Sequence, residues 1–333
     1  MLVSNNLFKK SSKSRKVRCE ICSNYCKIAD GGYGICKQHK NVNGELFDES
    51  FGVVSSLSAD PIEKKPLYHF LPGTLTYSVG GFGCNMVCLH CQNYMISQEF
   101  DKISNRINIS PEVIVEKAID QGCKSLSWTY NEPTIHLPFN RKTSLLAKRK
   151  NLKIIYVSNG YMSNQSLTEI LNFVDAFNID LKSMSQKFYK KICKADLNVV
   201  LENLKRIYDS GKHLEITNLL INDYNDSLDE INKLTNYIVD NLGCEVPLHF
   251  SRAFPYYKLN NISPTMENRL FEAKKIAHEN GLEHVYIGNM DCDKNTYCPQ
   301  CGEVILKRNN YSVELLNKNN KCEKCGKELN IKF

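Results

Sequence analysis

The stretch TLTYSVGGFGCNMVCLHCQNY, residues 74–94, begins as a β-strand and ends as a cysteine-rich loop. Its cysteines, Cys84, Cys88 and Cys91, have the spacing C-x3-C-x2-C. A structural zinc site needs a fourth ligand, a haem attachment needs C-x-x-C-H, and a disulfide leaves one thiol over. Three thiolates on a 4Fe–4S cluster leave one iron without a protein ligand. Because an open position is where a metal centre binds substrate, the spacing indicates a cluster with one iron free for a further ligand.

The chain that follows alternates strand and helix. Segments rich in β-branched and aromatic residues predict strands at 74–80, 125–129, 153–158, 176–181, 214–221, 247–251 and 284–288. Ser110, Pro111 and Gly122 bound a helix, and the same capping is expected in 226–243 and 263–281. Six strand–helix units and a final strand predict parallel strands. They favour an α/β fold, a partial (β/α)6 TIM-like barrel, over the alternative of a doubly wound open sheet.

Composition is that of a soluble globular protein, with 42% apolar and 24% charged residues. The sequence contains no apolar run of about 18 residues that would span a membrane, and its first residues lack the apolar region of a signal peptide. Fifteen cysteines without an export signal indicate thiols that are kept reduced for metal binding. We therefore expect a cytoplasmic protein without a membrane interaction.

The net charge of +7 is concentrated at the two ends of the chain. Residues 1–18 carry six Lys or Arg and no acidic residue, and residues 300–333 carry seven basic and four acidic residues. The chain between the two ends is therefore close to neutral. A nucleic-acid-binding function would depend on the ends alone, and we expect residues 1–18 to form a basic flexible tail.

The other cysteines form two groups of four and four single residues. Two C-x2-C knuckles near the carboxyl terminus have the pattern of a zinc ribbon, with a rubredoxin-like iron as the alternative; their members are Cys298, Cys301, Cys322 and Cys325. The amino-terminal group, C-x2-C-x3-C-x9-C, suits zinc or an auxiliary 4Fe–4S cluster, with zinc preferred; it comprises Cys19, Cys22, Cys26 and Cys36. The single residues are expected to be buried and small, and they are Cys123, Cys193, Cys244 and Cys292.

Several longer motifs together resemble one enzyme family. They are DPIEKKPLYHFLPG (60–73), GCNMVCLHCQNYMISQ (83–98), TYNEPT (129–134), NGYM (159–162), NIDLKSMSQKFYKKIC (178–193), EITNLLI (215–221), HFSRAFP (249–255) and YIGN…NTYCPQCG (286–302). The cysteine spacing after the first strand resembles the radical S-adenosylmethionine (radical SAM) superfamily. The longer motifs resemble its AmmeMemoRadiSam-system branch, which is related to pyruvate formate-lyase activating enzymes. The resemblance runs from about residue 19 to the end.

The resemblance implies domains and a reaction. It divides the chain into a Cys-rich segment (19–50), a connecting segment (51–73), a radical SAM core barrel (74–290) and a zinc-ribbon-like domain (295–333). In the superfamily, SAM chelates the open iron of a 4Fe–4S cluster held here by Cys84, Cys88 and Cys91. One electron then splits SAM into methionine and a 5′-deoxyadenosyl radical, which abstracts hydrogen. This oxidoreductase reaction requires an electron donor.

The resemblance also implies a set of cofactor-binding residues at the strand ends. They are Asn131, Glu132, Ser158, Asn159, Asp180, Lys182, Thr217, Asn218, His249 and Arg252. A carboxylate suits the ammonium of SAM and a lysine suits its carboxylate, whereas the alternatives are a helix N-terminal acid at Glu132 and a surface ion pair at Lys182. Two departures stand out, since Tyr130-Asn131 replaces two glycines of a Gly-Gly-Glu-Pro motif and His90 replaces an aromatic residue. His90 would shield the cluster or be an exposed residue.

No motif names the hydrogen donor, and no catalytic residue is assigned. The likeness to activating enzymes suggests a glycyl-radical-activase-like reaction on a protein, and the branch is associated with Memo-like and AMMECR1-like proteins. A different function class is a metal-stapled RNA-binding module, with zinc at every site and RNA bound by the basic ends. A radical SAM enzyme that acts on RNA would combine the two. Polar residues at five successive strand ends favour the enzyme.

Overall fold

The computed structural model describes residues 1–11 and 14–333. The strands, in chain order, are β1 (Phe8–Lys10), β2 (Val17–Cys19), β3 (Lys27–Ile28), β4 (His39–Val42), β5 (Glu45–Asp48), β6 (Val53–Val54), β7 (Ser56–Pro61), β8 (Leu75–Gly80), β9 (Ile107–Asn108), β10 (Ser125–Trp128), β11 (Lys153–Ser158), β12 (Ala176–Asp180), β13 (His213–Leu220), β14 (Leu248–Arg252), β15 (Val285–Gly288), β16 (Thr296–Tyr297), β17 (Val304–Asn309) and β18 (Ser312–Leu315).

The α-helices are α1 (Tyr94–Ser97), α2 (Pro111–Asp120), α3 (Leu137–Arg149), α4 (Asn164–Leu171), α5 (Gln186–Phe188), α6 (Leu197–Asp209), α7 (Leu228–Leu242) and α8 (Glu267–Glu279). Short 3-10 helices lie at Asn5–Leu7, Ile62–Lys64, Phe100–Lys102 and Pro133–His136, and a π-helical turn at Tyr189–Cys193 continues α5.

The central sheet has the strand order β15-β14-β13-β12-β11-β10-β8-β7. From β8 to β15 each strand pairs in parallel with the next strand of this sheet along the chain. A doubly wound sheet would start in its middle and reverse direction, and this order does not reverse. The predicted α/β fold, a partial barrel of six strand–helix units and a final strand, is confirmed.

Strand β7 was not predicted. It lies in the connecting segment and pairs antiparallel with β8, with Ser58 opposite Ser78. Its sequence, SLSADP, is polar and ends in proline, which is tolerated at the edge of a sheet. The chain then crosses the amino-terminal end of the barrel, where the backbone N–H groups of Tyr68 and His69 donate to the carboxylate of Glu215. The connecting segment therefore closes one end of the barrel.

Local capping signals explain most helix ends. The hydroxyl of Ser110 accepts from the N–H of Val113, and the hydroxyl of Ser227 caps α7 in the same way. The expected cap at residue 263 is wrong, because α8 begins at Glu267 without a side-chain cap. Thr265 instead bonds to the backbone of Ala253 and of Leu220, so that the segment before α8 is fastened to the ends of β13 and β14.

The expected flexible tail over residues 1–18 is wrong for the part that the structure describes. β1 pairs with β2, and β2 pairs with β3. The apolar residues between the basic ones are buried in the same core as the barrel, namely Val3, Leu7, Phe8 and Val17. Basic residues pair with acids, as Lys10 does with Glu45. Because basic residues dominate the composition of this segment, the composition did not indicate that the apolar residues between them would be buried.

The carboxyl-terminal tail is a zinc-ribbon-like unit of β16, β17 and β18, as predicted. It has a small core of its own, formed by Cys298, Ile305, Leu306, Cys322, Leu329 and Ile331. The tail is also bonded to the connecting segment, because Arg308 donates to the carbonyl of Tyr68 at 2.7 Å and Lys332 donates its N–H to the carbonyl of His69 at 2.8 Å. It therefore covers the amino-terminal end of the barrel.

Within the described residues, no helix is both long enough and apolar enough to cross a membrane.

Candidate functional site

The three central cysteines lie in the loop after β8, at the carboxyl end of the parallel strands. Cys84, Cys88 and Cys91 line one cavity of about 360 Å³. The loop approaches its surroundings closely, since a Cβ on Gly81 would lie 2.3 Å from the His136 ring and one on Gly83 would lie 2.6 Å from the carbonyl of Cys36. Glycine is therefore required at both positions.

Asn131 holds this loop in place. Its Oδ1 accepts from the N–H of Gly81 at 2.8 Å, and its Nδ2 donates to the carbonyl of Gly83 at 2.9 Å. The side chain also borders the cavity. The replacement of two glycines by Tyr130-Asn131 thus provides side-chain contacts to the cysteine loop, a role that sequence reasoning did not foresee.

Glu132 is buried at the junction of β10 and β11. Its carboxylate accepts four hydrogen bonds, from the N–H and hydroxyl of Thr134, the hydroxyl of Ser158 and the N–H of Asn159. Burial raises the pKa of Glu132, while these hydrogen bonds lower it. Glu132 caps the 3-10 helix Pro133–His136, so the alternative of a helix N-terminal acid describes part of its role. Glu132 borders the cavity. Contact of its carboxylate with the ammonium group of SAM stays a prediction.

Lys182 brings a positive charge to the cavity. Its Nζ lies 2.8 Å from Asp180, and both residues line the cavity. Burial lowers the pKa of Lys182, but the charges of Asp180, Cys88 and Cys193 raise it well above its usual value. The lysine therefore stays protonated and can bind an anionic group such as a carboxylate.

Of four further predicted residues, three line the cavity and one does not. Ser158, Asn159 and Thr217 line the cavity, and Nδ2 of Asn159 lies 3.7 Å from the sulfur of Cys84. Asn218 points to the other side of β13, as strand alternation requires, and donates to the carbonyl of Leu181.

Two predicted residues on β14 do not line the cavity. His249 turns to Glu215 at 2.6 Å, within the closed end of the barrel. Arg252 points outward to the carbonyl of Thr265 and to Glu267. Ser251 and Asn289 occupy this side of the cavity instead. Strand alternation alone could have identified Ser251.

Two residues near Cys88 that the sequence analysis did not count among the site residues also contribute to the cavity or its surroundings. His90 is buried, lines the cavity, and has a pKa lowered to about 3 by burial and by Lys182, so the alternative of an exposed residue is wrong. Cys193 is fully buried as expected, yet a hydrogen bond from its thiol lowers the pKa of Cys88. Cys193 therefore helps to set the environment of the trio.

The carboxyl-terminal cysteines form a compact site. The four sulfur atoms all lie within 4.8 Å of one another, and the separations of Cys298 from Cys325 and of Cys301 from Cys322 are 3.5 and 3.6 Å. Tetrahedral Zn–S bonds of about 2.3 Å imply sulfur separations of about 3.8 Å. The group can therefore hold a single metal ion such as zinc.

Comparison with known proteins assigns the family. The family model of the Radical SAM superfamily matches residues 78–237. "Uncharacterized protein MJ0808" of Methanocaldococcus jannaschii is 42% identical over 331 residues, which are 98% of each chain. The chain contains a radical SAM superfamily domain. A second M. jannaschii relative, "Uncharacterized protein MJ0674", is 27% identical over 216 residues, which cover 61% of this chain and 62% of that protein.

A solved structure agrees with this chain in fold. The crystal structure of Streptococcus suis SuiB has a TM-score of 0.50 and 13% identity, and the match covers 69% of this chain and 52% of that one. This likeness concerns the fold alone.

Membership of the radical SAM superfamily implies an enzyme that uses a 4Fe–4S cluster and SAM. The residues present fit both groups. Three thiols face one cavity, so that one iron would be left for another ligand, and Lys182 offers a cation for a carboxylate beside them. The cavity volume of about 360 Å³ is also in the range of small-molecule sites.

Proposed function

We propose that this protein reductively cleaves SAM to methionine and a 5′-deoxyadenosyl radical, which abstracts hydrogen from a substrate. The observation that carries the proposal is the placement of Cys84, Cys88 and Cys91 in one cavity wall beside Lys182. When bound, the cluster supplies the electron that breaks the carbon–sulfur bond. The chain's own residues bind and orient SAM and limit the access of water.

The roles of these residues follow from their contacts. Lys182 would pair with the carboxylate of SAM, and Asp180 would keep the lysine oriented. Glu132, Ser158 and Asn159 form a wall linked by hydrogen bonds at 2.8 and 2.9 Å, which preorganises the side of the cavity next to Cys84. A rigid wall lowers the cost of orienting the cofactor.

We also propose that the protein belongs to the AmmeMemoRadiSam branch, on the basis of the long motifs between residues 60 and 302. Under this proposal the hydrogen donor is carried by a protein, as in glycyl-radical activation, and Memo-like and AMMECR1-like proteins are the candidate partners. Partly buried aromatic side chains beside the cysteine loop support a large substrate. Tyr94 stacks on Tyr257 with ring centroids 4.6 Å apart, and the backbone N–H of Lys258 donates to the carbonyl of Leu89.

The proposal includes a cytoplasmic location and places zinc in the carboxyl-terminal site. All fifteen cysteines are unpaired, which suits a reducing compartment. The RNA-binding alternative has less support, because Arg15, Arg18 and Lys10 at the basic end all lie in ion pairs.

The reaction is tested by incubating the anaerobically reconstituted protein with SAM and dithionite. We expect methionine and 5′-deoxyadenosine, formed slowly, because the true substrate normally completes the reactive geometry. Deuterated cell extract fractions should then raise the rate and transfer deuterium into 5′-deoxyadenosine. Methylthioadenosine, or methyl transfer without deoxyadenosine, would show that the cluster does different chemistry.

SAM affinity is expected to depend on Lys182. Lys182→Ala removes the cation of the cavity, and a charge-assisted hydrogen bond contributes about 1.5–3 kcal/mol, so the Kd for SAM should rise roughly ten- to a hundredfold. Lys233→Ala is the matched control, since it breaks a lysine–aspartate pair on the exposed surface of α7. Equilibrium binding with iron content measured in parallel checks this. Equal affinity in the two variants would show that the carboxylate of SAM lies elsewhere.

A further inference from the structure

The four amino-terminal cysteines converge on one place. Cys19 lies at the end of β2, Cys22 and Cys26 lie in the turn before β3, and Cys36 lies in the loop before β4. Three of the four are buried and Cys26 is partly buried. Cys26 lies close enough to interact electrostatically with each of the other three thiols, those of Cys19, Cys22 and Cys36. The four residues therefore form a single group, although they are spread over 18 positions of the sequence.

Polar groups contact two of these sulfur atoms. The N–H of Ile35 donates to the sulfur of Cys26 at 3.5 Å, and Nδ1 of His39 lies 3.5 Å from the sulfur of Cys36. The loop before β4 and the first residue of β4 therefore enclose the group.

The spacing of the sulfur atoms separates this group from the zinc-ribbon site. Within residues 1–11 and 14–333, the sulfur atoms of the four carboxyl-terminal cysteines all lie within 4.8 Å of one another. In the same part of the chain, no three ligand atoms come this close at the amino-terminal four cysteines or at the trio of Cys84, Cys88 and Cys91. A single tetrahedral ion requires sulfur separations of about 3.8 Å. A cubane cluster binds each thiolate through a different iron, so its thiolates lie farther apart. In the described residues, neither the amino-terminal group nor the trio has three sulfur atoms within 4.8 Å of one another, so the two are alike in this respect.

From this geometry we infer that Cys19, Cys22, Cys26 and Cys36 bind a second 4Fe–4S cluster, with all four irons held by the protein. Zinc, the preference drawn from the sequence, is thereby replaced by the auxiliary cluster. Four thiolates leave no iron open, so this cluster does not bind SAM, and its chemistry is limited to gaining and losing an electron.

The second site lies directly against the trio. The side chain of Asn24, two residues after Cys22, donates to the carbonyl of Asn85 at 2.6 Å, and Asn85 adjoins Cys84. On the other side of the group, the carbonyl of Cys36 packs on Gly83, where even a Cβ would come within 2.6 Å. The two cysteine loops therefore touch at two points, and clusters bound in them would be close enough to interact magnetically when both are reduced.

The experiment compares metal content in full-length protein reconstituted anaerobically with iron and sulfide. Wild type is expected to contain about eight irons and about one zinc per chain. The double variant Cys22→Ala/Cys26→Ala, which leaves two thiolates in the amino-terminal group, and Cys88→Ala should each lose about four irons, while Cys244→Ala, which replaces a single cysteine outside all three groups, should lose none. The electron paramagnetic resonance spectrum of the reduced wild type should show broadening by interaction between two clusters, and each cluster variant should show the simpler spectrum of one.

Wild type with about four irons and two zincs, or with four irons and an empty amino-terminal site, would overturn the inference. This decision rests on the wild-type protein, so it stands even if Cys22→Ala/Cys26→Ala fails to fold. The inference is independent of the proposed reaction. If Cys22→Ala/Cys26→Ala loses iron while Cys88→Ala does not, the second cluster is supported and the assignment of the trio fails.

Discussion

Replacing Cys88 with alanine is expected to abolish SAM cleavage and to remove about four irons per chain. Cys88 is buried beside Cys193 and lines the cavity, and a cluster with two remaining ligands is not retained. The change deletes a single sulfur atom, so the folded state should lose only about 1 kcal/mol. Iron analysis, formation of 5′-deoxyadenosine and circular dichroism together check the expectation.

The matched control for this experiment is Cys244→Ala. Cys244 is partly buried, follows α7 and lies outside the cavity. It should keep wild-type iron and activity. Wild-type iron in a folded Cys88→Ala protein would show that the trio is not the cluster site, whatever the amino-terminal cysteines bind.

Loss of the carboxyl-terminal metal is expected to destabilise the barrel as well as the tail. Cys301→Ser should release about one zinc per chain and lower the free energy of unfolding by about 4 kcal/mol or more, a fall in Tm on the order of 10 °C. The reason is the contact of the tail with the barrel. Arg308 donates to the carbonyl of Tyr68 and to Thr296, and Thr296 bonds to the hydroxyl of Tyr286 on β15.

Cys292→Ser is the control, because Cys292 precedes the tail and is not among the four ligands. Its Tm should stay within a few degrees of wild type. The measurement is thermal unfolding followed by both circular dichroism and the absorbance of the central cluster, with zinc determined in parallel. A tail that loses zinc while the cluster absorbance melts at the wild-type temperature would show that the tail is an independent unit.

Local patterns in the sequence determined the barrel and the trio. All seven strands were predicted within one or two residues, because the β-branched runs and the caps at Ser110 and Ser227 act over a few neighbouring positions. The cysteine spacing is also local, so it indicated an iron with an open position before any fold was known. The edge strand β7 escaped because its polar sequence gains its partner only from β8.

The composition of the cavity was predictable in part. Some residues named at the strand ends line the cavity, as Lys182 and Thr217 do, and their binding of the cofactor stays a prediction. His249 was misplaced because Glu215, a buried acid at the closed end of the barrel, attracts it by a hydrogen bond. The position of the His249 side chain therefore depends on Glu215, which the neighbouring strand β13 supplies. The sequence of β14 alone does not indicate this partner.

The sequence by itself determined the order of strands and helices, the three cysteine groups, and the chemistry that three thiolates permit. Tertiary structure decided how these parts meet. It buried the apolar residues of the basic amino terminus, joined the zinc-ribbon tail to the barrel through Arg308, and set the sulfur atoms of one four-cysteine group close together and those of the other apart. Spacing along the chain limits which residues can meet, whereas the distances between their atoms depend on backbone conformation and on contacts between distant segments.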